Sequence, residues 1–218
     1  MQPLIFDLDG TLIDSAPDIH AAANKLMASI GRPGFELAEV KSFIGNGVPV
    51  LVERVMTARD LPTDQHSDLV ASFLAYYDAD SSTLTRPYPG AISALHALLA
   101  EGYRLGICTN KPEKPTRRIL SDLGMSRFFG AVVGGDTLSV RKPNPEPLAQ
   151  TINLLGSDSC IYIGDSEIDA DTAKNLGVPF VLFTEGYRKS KLEDLEFDVS
   201  FGDFSALPQI ISAMTKAD

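Results

Sequence analysis

The chain has 218 residues, with 19 basic side chains against 29 acidic ones and a formal net charge of −10. Hydrophobic residues make up 44% and charged residues 22%, which describes a folded globular protein and excludes a disordered or fibrous one; the length suits one large domain or a core with one inserted module. The acid excess argues against nucleic acid or an anionic membrane as partner, no apolar run approaches the ~20 residues a bilayer span needs, and Met1-Gln2-Pro3-Leu4 is not a basic leader, so a cytoplasmic location is expected.

The first apolar run, Pro3 to Leu8, is a short strand buried on both faces, closed by a turn at Asp9-Gly10-Thr11. The next segment, from about Ser15 to Ser82, has no strand-like run. It carries three amphipathic stripes: Ile19, Ala23, Leu26, Met27 and Ile30; Val48, Leu51, Val52, Val55 and Met56; Leu69, Val70, Phe73, Leu74 and Tyr77. Polar turn chemistry marks its edges at Asp14-Ser15-Ala16-Pro17 and Asp80-Ser81-Ser82. After the Pro89-Gly90 break, helical spacing (Ile92 to Leu99, Thr116 to Leu123, Leu148 to Leu155) alternates with apolar runs at Arg104–Cys108, Ala131–Val133, Cys160–Ile163 and Pro179–Phe183. A further amphipathic helix is expected near Phe204 to Met214. Strands alternating with helices predict an α/β fold, a Rossmann-like open parallel sheet with helices on both faces, made from residues 1–14 and 83–218, with residues 15–82 as an inserted all-helical module. Cys108 and Cys160 fall in separate apolar runs and read as reduced core residues.

In such a sheet ligands bind beyond the carboxyl ends of the strands, and those ends are polar here: Asp7 and Asp9, then Thr109-Asn110-Lys111, then Arg141-Lys142, then Gly164-Asp165-Ser166 with Asp169 nearby. Of the 29 acidic residues 19 are Asp, the type suited to turns and short-reach sites, so their placement matters. Asp7 and Asp9, two apart in extended chain, point the same way and repel each other unless a cation lies between them or one takes a proton. Asp165 offers a third oxygen, and Mg²⁺ suits such a set. Asp7 could then attack phosphorus while Asp9 works as general acid/base, with Lys142 supplying positive charge and Thr109 and Asn110 donating to phosphoryl oxygens.

Plainer readings stand beside these. Asp165 and Asp169 could be turn formers, Asp169 could cap a helix, Lys142 could be a solvated lysine, and Asn110-Lys111-Pro112 could open a helix. Gly45-Asn46-Gly47 is either a turn between helices or a loop that brings Asn46 over a bound phosphate. No zinc-type histidine pair, nucleophile elbow or P-loop occurs.

Taken together, these residues resemble the haloacid dehalogenase superfamily: Phe6-Asp7-Leu8-Asp9-Gly10-Thr11-Leu12, Thr109-Asn110, Lys142-Pro143, and Gly164-Asp165-Ser166-Glu167-Ile168-Asp169 match its four motifs in order. The resemblance implies Asp7 as nucleophile and Asp9 as general acid/base, with Mg²⁺ held by Asp7, the Asp9 main-chain carbonyl and Asp165. It also implies Asp169 in support of the metal, with Lys142 and Thr109 gripping the phosphoryl group. Asp9 argues against the dehalogenase branch. Asp14-Ser15-Ala16-Pro17-Asp18, Phe43-Ile44-Gly45-Asn46-Gly47, Pro87-Tyr88-Pro89-Gly90 and Thr109-Asn110-Lys111-Pro112 are similar to the bacterial phosphoglycolate phosphatases, and Asn144 stands where many relatives have His or Asp. That likeness implies a small phosphate ester, 2-phosphoglycolate, as substrate, and residues 15–82 as a cap. Another small phosphoester, a phosphosugar mutase reaction and a non-enzymatic phosphoacceptor remain the alternatives, and both monomer and homodimer stay open.

Overall fold

The computed structural model describes residues 1–80 and 82–216; Ser81, within one predicted module edge, lies outside the described residues. In chain order, β1 (Leu4–Phe6) is followed by a short strand β2 (Ile13–Asp14) and four helices: α1 (Ala16–Ser29), α2 (Leu37–Lys41), α3 (Val48–Ala58) and α4 (His66–Asp80). The chain then returns through β3 (Arg86–Pro87) to α5 (Ala91–Ala100), β4 (Leu105–Cys108), α6 (Glu113–Asp122), β5 (Phe129–Val133), α7 (Glu146–Leu154) and β6 (Ile161–Gly164). It ends with α8 (Glu167–Leu176), β7 (Phe180–Phe183), β8 (Val199–Phe201) and α9 (Leu207–Lys216).

Six strands form one parallel sheet in the order β5-β4-β1-β6-β7-β8, with Leu4 of β1 opposite Leu105 on one side and Ile161 on the other. The central position of β1 explains its unbroken apolar composition, because both of its faces are covered. Leu4 and Phe6 pack into a cluster with α5 and α9, whereas Ile5, between them, joins a second cluster with α7 and α8 on the opposite face. Strand β8 is absent from the sequence expectation: three residues are too few to show a period, and the run is recognisable only through its pairing with β7. Asp198 fixes that edge by accepting from the Phe180 amide at 2.8 Å.

The helices between β2 and β3 bury most of the predicted stripes, with Leu51, Val52, Val55, Met56, Leu69, Phe73 and Tyr77 inside and Ile30, just past the end of α1, exposed; their apolar cluster runs on without a break into that of the sheet. β2 and β3 pair antiparallel where the chain leaves and re-enters the sheet region. Beside this crossing the buried Asp18 carboxylate accepts from the Leu84 amide and from the amide and hydroxyl of Thr85, tying the first turn of α1 to the returning chain. Among the described residues no helix is long and apolar enough to cross a membrane.

Candidate active site

Parallel pairing brings the carboxyl ends of β1, β4 and β6 to one edge of the sheet, and the polar residues that follow them meet there. The Asp7 amide donates to Ile163 of β6 (2.9 Å) and the Thr109 amide to Val133 of β5 (3.0 Å), so both residues are held by ladder bonds just past their strands. Asp7, Thr109, Asn110, Lys111, Lys142, Asp165 and Asp169 are all buried.

Lys142 comes from the long loop after β5 rather than from a strand end, yet its Nζ lies at the centre of the site. It donates to Asp7 Oδ1 at 2.9 Å, Asp169 Oδ1 at 2.6 Å and Tyr162 Oη at 2.8 Å, which uses all three ammonium hydrogens. Asp169 lies in the first turn of α8, where Oδ2 accepts from the Ser166 hydroxyl (2.7 Å) and amide (3.2 Å). Asp169 therefore closes the first turn of α8 with Oδ2 and meets Lys142 with Oδ1. Asp165 accepts from Thr11 Oγ1 (2.7 Å) and the Tyr187 amide (2.6 Å), with no cation against it. It fits because glycines back it: a Cβ on Gly10, whose φ is +92°, would come within 2.5 Å of Oδ2, and one on Gly186 within 2.3 Å of the Asp165 Cβ.

Charge follows from these contacts. Burial pushes Asp7 up and Lys142 only partly offsets it, leaving its carboxyl at about 6. Burial and the neighbouring Asp169 and Asp7 lift Asp165 well above the usual carboxylate range. For Asp169 burial also acts upward, but the charge and hydrogen bond of Lys142 and the bonds from Ser166 and Tyr162 outweigh it and hold the group below its ordinary value. Burial alone would lower Lys142, yet Asp169 and Asp7 keep it raised and charged. Three buried carboxylates face one ammonium, and Asp7, Asp165 and Asp169 can each place an oxygen within 4.8 Å of the others. An all-oxygen set with an excess of negative charge fits a hard divalent cation. Asp7 keeps Oδ2 free for it; Asp165 accepts one hydrogen bond on each oxygen, both from neutral donors, whereas Asp169 already has the Lys142 ammonium on Oδ1 and Ser166 on Oδ2.

Asp9 turns away from this cluster. Its carboxylate accepts from Ser15 Oγ at 2.6 Å and is bracketed by Lys111 Nζ at 3.0 and 3.1 Å. Lys111 also donates to Tyr77 Oη of α4 at 2.6 Å, and Asp9 with Tyr77 outweighs the effect of burial to hold the ammonium above its ordinary value. Asp7, Asp9, Thr109 and Lys111 line a cavity together with apolar side chains of the inserted segment: Ile19, Val48, Leu51 and Phe73 from its helices and Ile44 from the loop before α3.

One expectation for phosphate binding departs from the geometry. Asn110 Nδ2 donates to the main-chain carbonyls of Gly45 (3.1 Å) and Lys142 (3.0 Å), which leaves only its acceptor Oδ1, a group that repels phosphate oxygens. Asn46 Oδ1 accepts from Arg54 at 2.7 Å, and the cavity is lined by the flanking Gly45 and Gly47 instead. Lys111 and Tyr77, in turn, received no role from the sequence. The signal for Lys111 was its place in the polar run that follows a buried strand, three residues past the end of β4; Tyr77 reads as one more residue of an apolar stripe. Tyr187, whose amide holds Asp165 and whose hydroxyl donates to Asp14 at 2.5 Å, comes from a loop with no periodic signal.

Comparison with known proteins fits this arrangement. The family described as haloacid dehalogenase-like hydrolase matches residues 4–183. A phosphoglycolate phosphatase of Cereibacter sphaeroides is 49% identical over 97% of this chain and 98% of its own length, and one of Rhodobacter capsulatus is 45% identical over 97% of each. A crystal structure described as a predicted phosphoglycolate phosphatase from Haemophilus somnus superposes with a TM-score of 0.90 at 30% identity, covering 97% of this chain and 98% of that one. The match spans the strand-end carboxylates, the inserted helices and the loop that delivers Lys142, and this chain accordingly belongs to the haloacid dehalogenase-like hydrolase family.

Proposed function

We propose that the protein is a Mg²⁺-dependent phosphatase that hydrolyses 2-phosphoglycolate to glycolate and phosphate through an aspartyl-phosphate. The observation that carries this reading is Asp7: a buried carboxylate at the end of the central strand, one oxygen on Lys142 and the side chain lining a cavity it shares with Asp9 and Thr109. The name phosphoglycolate phosphatase, borne by relatives that match nearly the whole chain, supports the substrate.

With Oδ1 pinned by Lys142, Asp7 Oδ2 attacks phosphorus, forming the aspartyl bond as the phosphorus–ester oxygen bond breaks. Asp9 delivers a proton to the departing glycolate oxygen. It then removes one from the water that attacks the phosphoryl group, which returns Asp7 to a carboxylate and releases phosphate. The Thr109 hydroxyl donates to a phosphoryl oxygen, and Lys142 fixes the nucleophile and offsets charge on the transferring group. Asp7, the Asp9 main-chain carbonyl and Asp165 would hold Mg²⁺, supported by Asp169; when bound it neutralises charge on the phosphoryl oxygens. The inserted helices of residues 15–82 act as a cap whose apolar wall keeps bulk water from the acyl phosphate.

Phosphate release from a panel of small phosphoesters tests the assignment, with 2-phosphoglycolate expected to show the highest kcat/KM. Preference for a phosphosugar, or phosphoryl transfer to a sugar hydroxyl, would replace the substrate; turnover without divalent cation would replace the mechanism.

A further inference from the structure

We infer that Lys111 is the residue that recognises the carboxylate of the substrate, and that it does so by turning part of its ammonium from Asp9 to the incoming carboxylate. This rests on 2-phosphoglycolate being the substrate and adds the group that selects it.

The substrate carries two anionic ends, and the cavity already holds Asp7 and Asp9. The phosphoryl end has Lys142 and the metal site; the carboxylate end needs a cation of its own. Among the described residues lining the cavity, Lys111 alone carries positive charge, and the wall facing it is built from apolar side chains such as Val48, Leu51 and Phe73. A carboxylate placed against that apolar wall would lose its hydration without compensation. Lys111 itself is only 4% exposed at its side chain, so a new partner meets a desolvated ammonium, where an ion pair is stronger than at the surface.

Position agrees with charge. Asp9, as the group that protonates the ester oxygen, lies next to that atom, and Lys111 Nζ lies 3.0 Å from an Asp9 oxygen. In 2-phosphoglycolate a single methylene separates the ester oxygen from the carboxylate, so the carboxylate falls on the Lys111 side of Asp9. The ammonium now spends two hydrogens on the two oxygens of Asp9 and one on Tyr77 Oη. One bond suffices to keep Asp9 in place, and the other hydrogen is available for exchange. The exchange uncovers one Asp9 oxygen while Tyr77, stacked on Phe73 at 6.0 Å between ring centroids, keeps Nζ from following the substrate. A phosphoester without a carboxylate leaves Lys111 where it is.

The test compares 2-phosphoglycolate with ethyl phosphate, which has the same ester linkage and no carboxylate, in the wild type, Lys111→Met, Lys111→Arg and Tyr77→Phe. In Lys111→Met the ratio of kcat/KM for 2-phosphoglycolate to that for ethyl phosphate should fall by about tenfold or more, the scale of one charge-assisted hydrogen bond. The loss should lie mainly in KM for 2-phosphoglycolate, and Lys111→Arg should retain most of the preference. Tyr77→Phe, a milder change, should raise KM for 2-phosphoglycolate by about threefold and leave that for ethyl phosphate unmoved; this arm decides if Lys111→Met does not fold. Equal losses on both substrates in Lys111→Met would overturn the inference and reduce Lys111 to a holder of Asp9. A wild type that shows no preference for 2-phosphoglycolate would instead overturn the substrate assignment beneath it.

Discussion

Two lysines flank the Asp7–Asp9 pair, and they are built into the molecule in different ways. Lys142 has all its partners in the sheet region: Asp7 after β1, Tyr162 in β6 and Asp169 in α8. Lys111 spans two regions, with Asp9 on the sheet side and Tyr77 on a helix of the inserted segment. A cation with three rigid partners on one scaffold keeps the nucleophile in one geometry through repeated cycles. A cation shared between the sheet and the inserted helices can respond to what enters between them. The difference separates chemistry, which needs preorganisation, from recognition, which needs a contact that can be exchanged.

The largest effect should come from Asp7, the proposed nucleophile. Asp7→Asn removes the attacking carboxylate and a metal ligand while leaving its size, and phosphate release should fall by more than about 10³-fold; retained Mg²⁺-dependent turnover in that variant would refute the assignment. Next, the two lysines should differ in stability. Lys142→Met strands Asp7 and Asp169, both buried, and should cost about 3–5 kcal/mol in urea unfolding, whereas Lys111→Met takes the cation from a single carboxylate, Asp9, whose side chain is 14% exposed, and a donor from the Tyr77 hydroxyl, and should cost about 1–3 kcal/mol. Equal costs would erase the contrast drawn between them.

Metal binding should depend on pH in a direction set by the buried carboxylates. Without metal, burial holds Asp7 at about 6 against an ordinary value of 3.8, and Asp165 is raised as well, so the folded chain retains protons that the unfolded chain has already released. Ionising these groups opposes folding, so metal-free stability should decline as pH rises from about 4 through 6. Mg²⁺ needs both carboxylates ionised, and its stabilisation should be greater near pH 7.5 (about) than near pH 5 (about), read as the shift in Tm on adding the ion. An equal shift at both pH values would remove Asp7 and Asp165 as ligands. The smallest effect belongs to an exposed pair within the inserted segment: breaking Lys25–Asp80 (2.6 Å, both about half exposed) by Lys25→Ala should change stability by no more than about 0.5 kcal/mol. A larger loss would mean that the inserted helices depend on their surface charges more than on their shared apolar cluster.

Particular residues show what could be read before the fold was known. Asp7 and Asp9 stood out because a charge beside Leu-Ile-Phe is costly to bury without purpose, but the common side expected from their spacing of two is not kept: β1 ends at Phe6, and Asp9 turns to Ser15 and Lys111 while Asp7 meets Lys142. The stripe from Leu69 to Tyr77 announced a helix for the same kind of reason, a period of 3.6. Strand β8 gave no such signal, being too short to display a period. Asn110 does not keep a donor for phosphate because an amide's role depends on what its two hydrogens already bind, and those acceptors, the Gly45 and Lys142 carbonyls, come from elsewhere in the chain. Asp169 shows the converse: capping the helix does not take it out of the cluster, because a carboxylate has two oxygens, one for Ser166 and one for Lys142.

What the sequence determined by itself was local and periodic: which segments are strands or helices, which carboxylates leave the same strand end, and the four motifs whose order marks the family. Only the tertiary structure decided which cation faces which carboxylate, since Lys142 and Asp7 lie 135 residues apart and Lys111 and Asp9 lie 102 apart. Those pairings depend on the order of strands in the sheet and on helices folding back over its edge, and no short-range period encodes either.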